Sequence, residues 1–173
     1  MKVLPNTGFT LIELLIVIAL LAVITGASLP SYIGYQKNQT ITQAIKQIKS
    51  DLRFAQRRAV SSLEGKAWGL HFVVSSPHQY ELFSCNPSST YTDYVYGEEN
   101  DCPSRQIIQL NPSISLQLVS DYDIVFDVLT GKVIVGGVLL AEDLLIDVSD
   151  GTTIKRVTVT TGGAIEDYID PNP

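Results

Sequence analysis

Basic side chains, histidines and cysteines are all scarce in this chain, and each scarcity removes a class of function. Lys and Arg together number 12 against 18 Asp and Glu, giving a net charge of −6. A phosphate backbone demands a basic face on its partner, so this balance argues against nucleic acid. His71 and His78 are the only histidines. No Ser-His-Asp arrangement and no Gly-rich phosphate loop ending in lysine accompanies them, so the chain reads as a non-enzyme without a cofactor. His71 falls in a strand-like stretch and reads as a structural histidine. Cys85 and Cys102 lack the short paired spacing of a zinc site. Asp121, Asp123 and Asp127, and Asp147 with Asp150, touch on a calcium reading. The EF-hand spacing is missing, however, and alternating acids along a strand read as solvent-facing, so no metal is expected.

Long apolar runs are equally scarce, but there is one. Phe9 to Leu29 is 21 residues with a single charge, Glu13, near its start. As a helix it would be about 31 Å long, close to the hydrocarbon thickness of a bilayer. A carboxylate at the centre of a spanning helix costs about 2.5 to 3.5 kcal/mol on insertion scales. Leu in its place would avoid that cost. Either Glu13 sits shallow enough to reach headgroups, or it waits for a positive partner. A conventional secretory signal is the competing reading. Lys2 supplies a basic start and Thr25-Gly26-Ala27 a passable cleavage site, but Glu13 inside the apolar core counts against it. Charge does not settle orientation, with Lys2 on one side and Lys37 and Lys46 on the other.

Gly8-Phe9-Thr10-Leu11-Ile12-Glu13, followed by the apolar run and Pro30, resembles the processing site of type IV prepilins and type II secretion pseudopilins. The resemblance implies that a membrane-embedded prepilin peptidase removes a leader, residues 1–8, by cutting between Gly8 and Phe9, and that the new Phe9 amine is methylated. It implies that Glu13 pairs with the Phe9 amine of a neighbouring subunit as the helix passes from lipid into a filament. A buried carboxylate is tolerable when paired, and pairing between subunits sets register. The leader is less basic than is usual for the family. Its removal takes away the one charge of Lys2, leaving the mature chain at −7.

Beyond the apolar run, Asn6-Thr7 reads as the helix cap, and Gly26 with Pro30 as a break near the outer end of the helix. Ile41, Ile45, Ile48, Leu52, Ala55 and Ala59 then form one helical stripe, and Lys46, Lys49, Arg53, Arg57 and Arg58 lie mainly off it. The stripe calls for a sheet. Strands are expected at 68–74, 80–83, 107–110, 114–119, 123–128, 132–138, 144–148 and 154–160, with a short one near Ile165 and a frayed tail from 167. Ser149-Asp150-Gly151 is the strongest hairpin signal. Residues 84–106 read as a long loop, with Tyr91, Tyr94 and Tyr96 either forming a contact surface or packing over the sheet. Cys85 and Cys102 close it if they lie outside the membrane, a span of 17 residues stabilising by about 3 kcal/mol; in a reducing compartment they stay as thiols.

Asp51-Leu52-Arg53-Phe54-Ala55-Gln56, Trp68-Gly69-Leu70-His71-Phe72, Asp123-Ile124-Val125-Phe126 with Gly131, and Val157-Thr158-Val159 with Gly163 are similar to the GspH/FimT group of minor pilins and pseudopilins. The acidic carboxy end departs from what a DNA-binding member would offer.

The expectation is therefore an α+β, type IV pilin-like fold: leader 1–8, transmembrane and assembly half-helix 9–31, and an amphipathic helix plus β-rich extracytoplasmic domain at 32–173. The resemblance implies a pilin or minor pilin, first a single-pass cytoplasmic-membrane protein, then part of a cell-surface filament. Its partners would be other pilin subunits, the peptidase, an assembly platform with its motor, and membrane lipid. An H-type minor pseudopilin of type II secretion, or a tip adhesin or DNA-binding minor pilin, uses the same parts.

Overall fold

A computed structural model describes residues 9–86, 96–97 and 102–168. The chain divides into two compact units, Met1–Lys37 and Asn38–Pro173. Helix α1 (Leu11–Val60) contributes to both. Its assignment runs through Gly26 and Pro30, so the break expected at those positions is not an end of the helix. A proline deletes one backbone donor and crowds the preceding turn, which weakens a helix without compelling it to stop.

Within the second unit the stripe behaves as its spacing demands. Ile41, Ile48, Leu52, Ala55 and Ala59 are wholly buried, with Ala44 and Ile45 nearly so. They pack in one cluster with Trp68, Leu70, Phe72, Ile124 and Phe126 from one sheet and Ile146, Val148, Val157 and Val159 from another. The sequence pointed to one sheet; the fold has two. The first has the order β3-β2-β1-β5-β6-β7, comprising β1 (Ala67–Val73), β2 (Gln79–Cys85), β3 (Ser104–Gln109), β5 (Tyr122–Phe126), β6 (Val133–Val135) and β7 (Val138–Leu139). The second has the order β10-β9-β8-β4, from β4 (Ser115–Leu116), β8 (Leu144–Ser149), β9 (Ile154–Val159) and β10 (Ile165–Tyr168). All named pairings are antiparallel.

Two expected strands changed. The stretch 132–138 splits into β6 and β7 around Gly136-Gly137, and 114–119 shrinks to Ser115–Leu116, which leaves the first sheet to pair with β8. The last strand runs on to Tyr168, into residues expected to fray.

Central strand β1 is covered on both faces. Trp68, Leu70 and Phe72 join the α1 cluster, while Ala67 joins a second cluster with Phe83, Cys85, Cys102, Val125 and Ile134. Gly69 is required by space: a Cβ there would meet the Ile124 carbonyl at 2.5 Å and the Phe83 ring at 2.9 Å. The β8–β9 hairpin is closed by Asp150, whose carboxylate accepts from the backbone N–H groups of Thr152 and Thr153 at 2.9 and 2.7 Å.

Candidate assembly site

Helix α1 begins two residues after Phe9, and its cap is Thr10. The Thr10 hydroxyl accepts from the Glu13 N–H at 3.3 Å and its carbonyl from the Leu14 N–H at 3.2 Å. That is the N-cap half of a capping box, with Glu in the third helical position where a negative charge also suits the helix dipole. The Thr-x-x-Glu spacing was legible in the sequence, and reading Asn6-Thr7 as the cap overlooked it. Asn6, Thr7, Gly8 and the rest of the leader lie outside the described residues.

Behind this cap the helix is apolar on every side and open on every side. Phe9, Leu11, Ile12, Leu14, Leu15, Ile16, Val17, Ile18, Leu20, Leu21, Val23 and Ile24 are all exposed. The burial of each such side chain is worth about 1.5–3 kcal/mol, so this surface is unsuited to water. Among the described residues the Glu13 carboxylate has no hydrogen-bond or ion-pair partner. An unpaired acid thus stands four residues past Phe9 on an apolar helix. Thr25 returns its hydroxyl to the Leu21 carbonyl at 2.5 Å, keeping its polar atom bonded within the helix. Among the described residues no helix is long and apolar enough to cross a membrane. Side chains at 27–33, the outer end of the predicted span, lie outside the description.

In the second unit, Cys85 and Cys102 form a disulfide, both fully buried against Phe83 and Val125. Of the three loop tyrosines, Tyr91 and Tyr94 lie outside the described residues. Tyr96 packs over the sheet. Its ring stacks on His71 at 4.2 Å, its N–H donates to Asp123 at 2.9 Å and its hydroxyl to Glu81 at 2.7 Å. His71 bonds Asp123 through Nδ1 at 2.6 Å. Asp123 is therefore buried rather than solvent-facing as expected, because the loop folds back over β1 and β5.

The remaining acids hold backbone and sheet. Asp121 accepts from Val74, Asp127 from Thr130, and Asp147 forms a two-point pair with Arg156. Among the described residues there is no group of three His, Cys, Asp or Glu able to hold a metal. Two phenols are displaced from their ordinary value of 10.0. Burial, then the Asp51 carboxylate that accepts from its hydroxyl at 2.6 Å, pushes Tyr80 well up. Burial and then the charge of Asp147 do the same to Tyr122.

The far end of α1 carries a feature not foreseen from the sequence. An open groove of about 750 Å³ is lined by Phe54, Gln56, Arg57, Arg58, Val60 and Ser61. The Arg58 guanidinium lies over the Phe54 and Trp68 rings at 4.9 and 5.4 Å. Beside it the β5–β6 turn docks on the helix end, Leu129 N–H donating to the Ala59 carbonyl at 3.1 Å. Leu129 holds φ +64 and exposes its side chain, while Gly131 comes close enough to Val60 that a Cβ would sit 2.7 Å away.

One comparison with known proteins falls at the amino terminus. The family model described as the prokaryotic N-terminal methylation motif matches residues 5–29. Two curated relatives, each named fimbrial protein and each from Pseudomonas aeruginosa, are 39% identical over 59 residues, covering 34% of this chain. The chain thus spans 36% of the length of the relatives it matches. No solved structure matches it.

Proposed function

We infer that this chain, which by its amino-terminal motif belongs to the type IV prepilin family, is a structural subunit of a type IV pilus-like filament and not an enzyme. The observation that carries the reading is the unpaired Glu13, capped into the first turn of an exposed apolar helix directly behind Phe9. Prepilin peptidase would cut between Gly8 and Phe9, and the methylated Phe9 amine of one subunit would meet Glu13 of the next. In lipid the carboxylate costs about 2.5 to 3.5 kcal/mol. In the filament a cation offsets that cost, so pairing drives the exchange of one apolar surrounding for another. Lipid first covers the exposed side chains from Phe9 to Ile24, and the same half of other subunits covers them afterwards. An assembly platform and motor supply the work, and the globular unit is presented outside the membrane, where the disulfide persists.

Glu13→Leu tests the reading. The variant should be processed and held in the membrane fraction but missing from sheared cell-surface material. A Glu13→Leu chain recovered in filaments at the wild-type level would refute it. The GspH/FimT assignment is the finer form of this proposal, and it leaves an H-type pseudopilin or a pilus minor pilin as the setting. The groove with Arg57 and Arg58 favours a second reading, a DNA-binding tip subunit. Salt-sensitive DNA binding lost in Arg57→Ala/Arg58→Ala would support it, and no binding at low salt would discard it.

A further inference from the structure

The groove at the end of α1 is a basic patch on a chain with a net charge of −6. No carboxylate is among its lining residues, Phe54, Gln56, Arg57, Arg58, Val60 and Ser61, so these side chains offer charge of one sign. Two of the lining donors are already engaged. The Gln56 amide donates to the Gly163 carbonyl at 2.7 Å, and the Ser61 hydroxyl to the Arg58 carbonyl at 3.1 Å. The two guanidinium groups are not engaged. Among the described residues neither that of Arg57 nor that of Arg58 has a hydrogen-bond or ion-pair partner, whereas Arg53, one turn earlier, donates to the Ile165 carbonyl at 3.0 Å.

Arg58 is also held in place. Its guanidinium lies over the Phe54 and Trp68 rings at 4.9 and 5.4 Å, contacts that restrict its rotamers and use none of its N–H donors. A planar fork held in this way pairs with a carboxylate at two points and loses little entropy in doing so. Trp68, which touches Arg58, repeats the pattern. The indole is 6% exposed, and its N–H is buried without a partner among the described residues. Buried donors are almost always paired, so this N–H too favours an acceptor beside Arg58. Apolar surface adjoins the charge, since Val60 is 46% exposed and the partly buried Phe54 lines the same groove. The surface therefore suits an anionic group joined to an apolar body. Nucleic acid suits it less, because it brings a row of phosphates toward a protein of the same sign with two guanidinium groups to receive them. A peptide offers carboxylates without that row, and its neighbouring residues supply apolar side chains.

We propose that the groove formed by Phe54, Arg57, Arg58 and Val60 docks an acidic peptide segment of a partner protein. Arg57 and Arg58 engage its carboxylates, and Phe54 and Val60 receive the apolar side chains between them. At about 750 Å³ the groove is within the range of clefts that hold ligands. This goes beyond the pairing of Glu13 with Phe9. A free-peptide probe requires no filament, so its failure is separate from any failure of the filament reading.

The test is fluorescence anisotropy of a labelled hexapeptide of alternating glutamate and leucine, titrated with the full chain in detergent. The expected result is saturable binding that falls by about tenfold or more when glutamine replaces each glutamate, and falls again with added salt. Because that change is in the peptide, protein folding is unaffected. Arg57→Ala/Arg58→Ala should weaken binding of the acidic peptide to the level of the glutamine peptide. Equal binding of both peptides by the wild type, or binding of neither, overturns the proposal. Acidic-peptide binding that survives Arg57→Ala/Arg58→Ala overturns it as well, by placing the site elsewhere. So does displacement of the peptide by a single-stranded oligonucleotide that binds tighter, which would assign the groove to nucleic acid.

Discussion

Replacing Ile48 and Leu20 by alanine separates the two jobs assigned to one helix. Ile48 is wholly buried at the junction of α1 and both sheets, whereas Leu20 is 58% exposed. Truncating a fully buried isoleucine removes transfer energy and leaves a cavity, costing about 2–5 kcal/mol. The better helix propensity of alanine returns a few tenths. For a unit of this size each kcal/mol shifts Tm by roughly 3–5 °C, so Ile48→Ala should lower Tm by about 5–25 °C. Leu20→Ala trims a side chain that is largely exposed, and its effect should stay within about ±0.5 kcal/mol. The assay is thermal unfolding of the full chain in detergent, followed by near-UV circular dichroism and by the fluorescence of Trp68, which is 6% exposed. A shift below about 3 °C for Ile48→Ala, or equal shifts for both variants, would refute the assignment of the 38–60 segment as scaffold.

Other consequences are quicker to check. Cys85→Ser/Cys102→Ser opens a separation of 17 residues and should cost about 3 kcal/mol in denaturant titration, with the reduced wild type matching the variant. Alkaline stability should fall early. Tyr80 and Tyr122 stay protonated in the fold above the pH at which they ionise when unfolded, so their contribution is complete below the ordinary value of 10.0 and is lost as pH rises beyond it. The slope approaches about 1.4 kcal/mol per pH unit for each phenol, and Tyr80→Phe should halve it in urea titrations above that pH.

How much of this was legible depends on the range of the interaction that decides each feature. The α1 stripe from Ile41 to Ala59 is local, so its 3.6-residue period alone predicted a buried face, and the structure buries every member. Strand positions followed from alternation and turn residues for the same reason. Strand partners do not, because alternation says which residues face inward and not which neighbour completes the ladder. Hence β4 was read as a strand without its place beside β8. Asp123 was misread because its cover, Tyr96, sits 27 residues away. The Thr10 cap was a different kind of miss, since Thr10 and Glu13 were both in view.

The central claim rests on what becomes of Phe9, and intact mass with amino-terminal sequencing of protein from membranes and from sheared cell-surface material tests it most directly. The account predicts a chain that starts at N-methyl-Phe9, carries the Cys85–Cys102 disulfide and is recovered in the sheared fraction. A chain starting at Met1, or near Ser28, would contradict it and leave a β-rich domain held by, or released from, an ordinary signal segment.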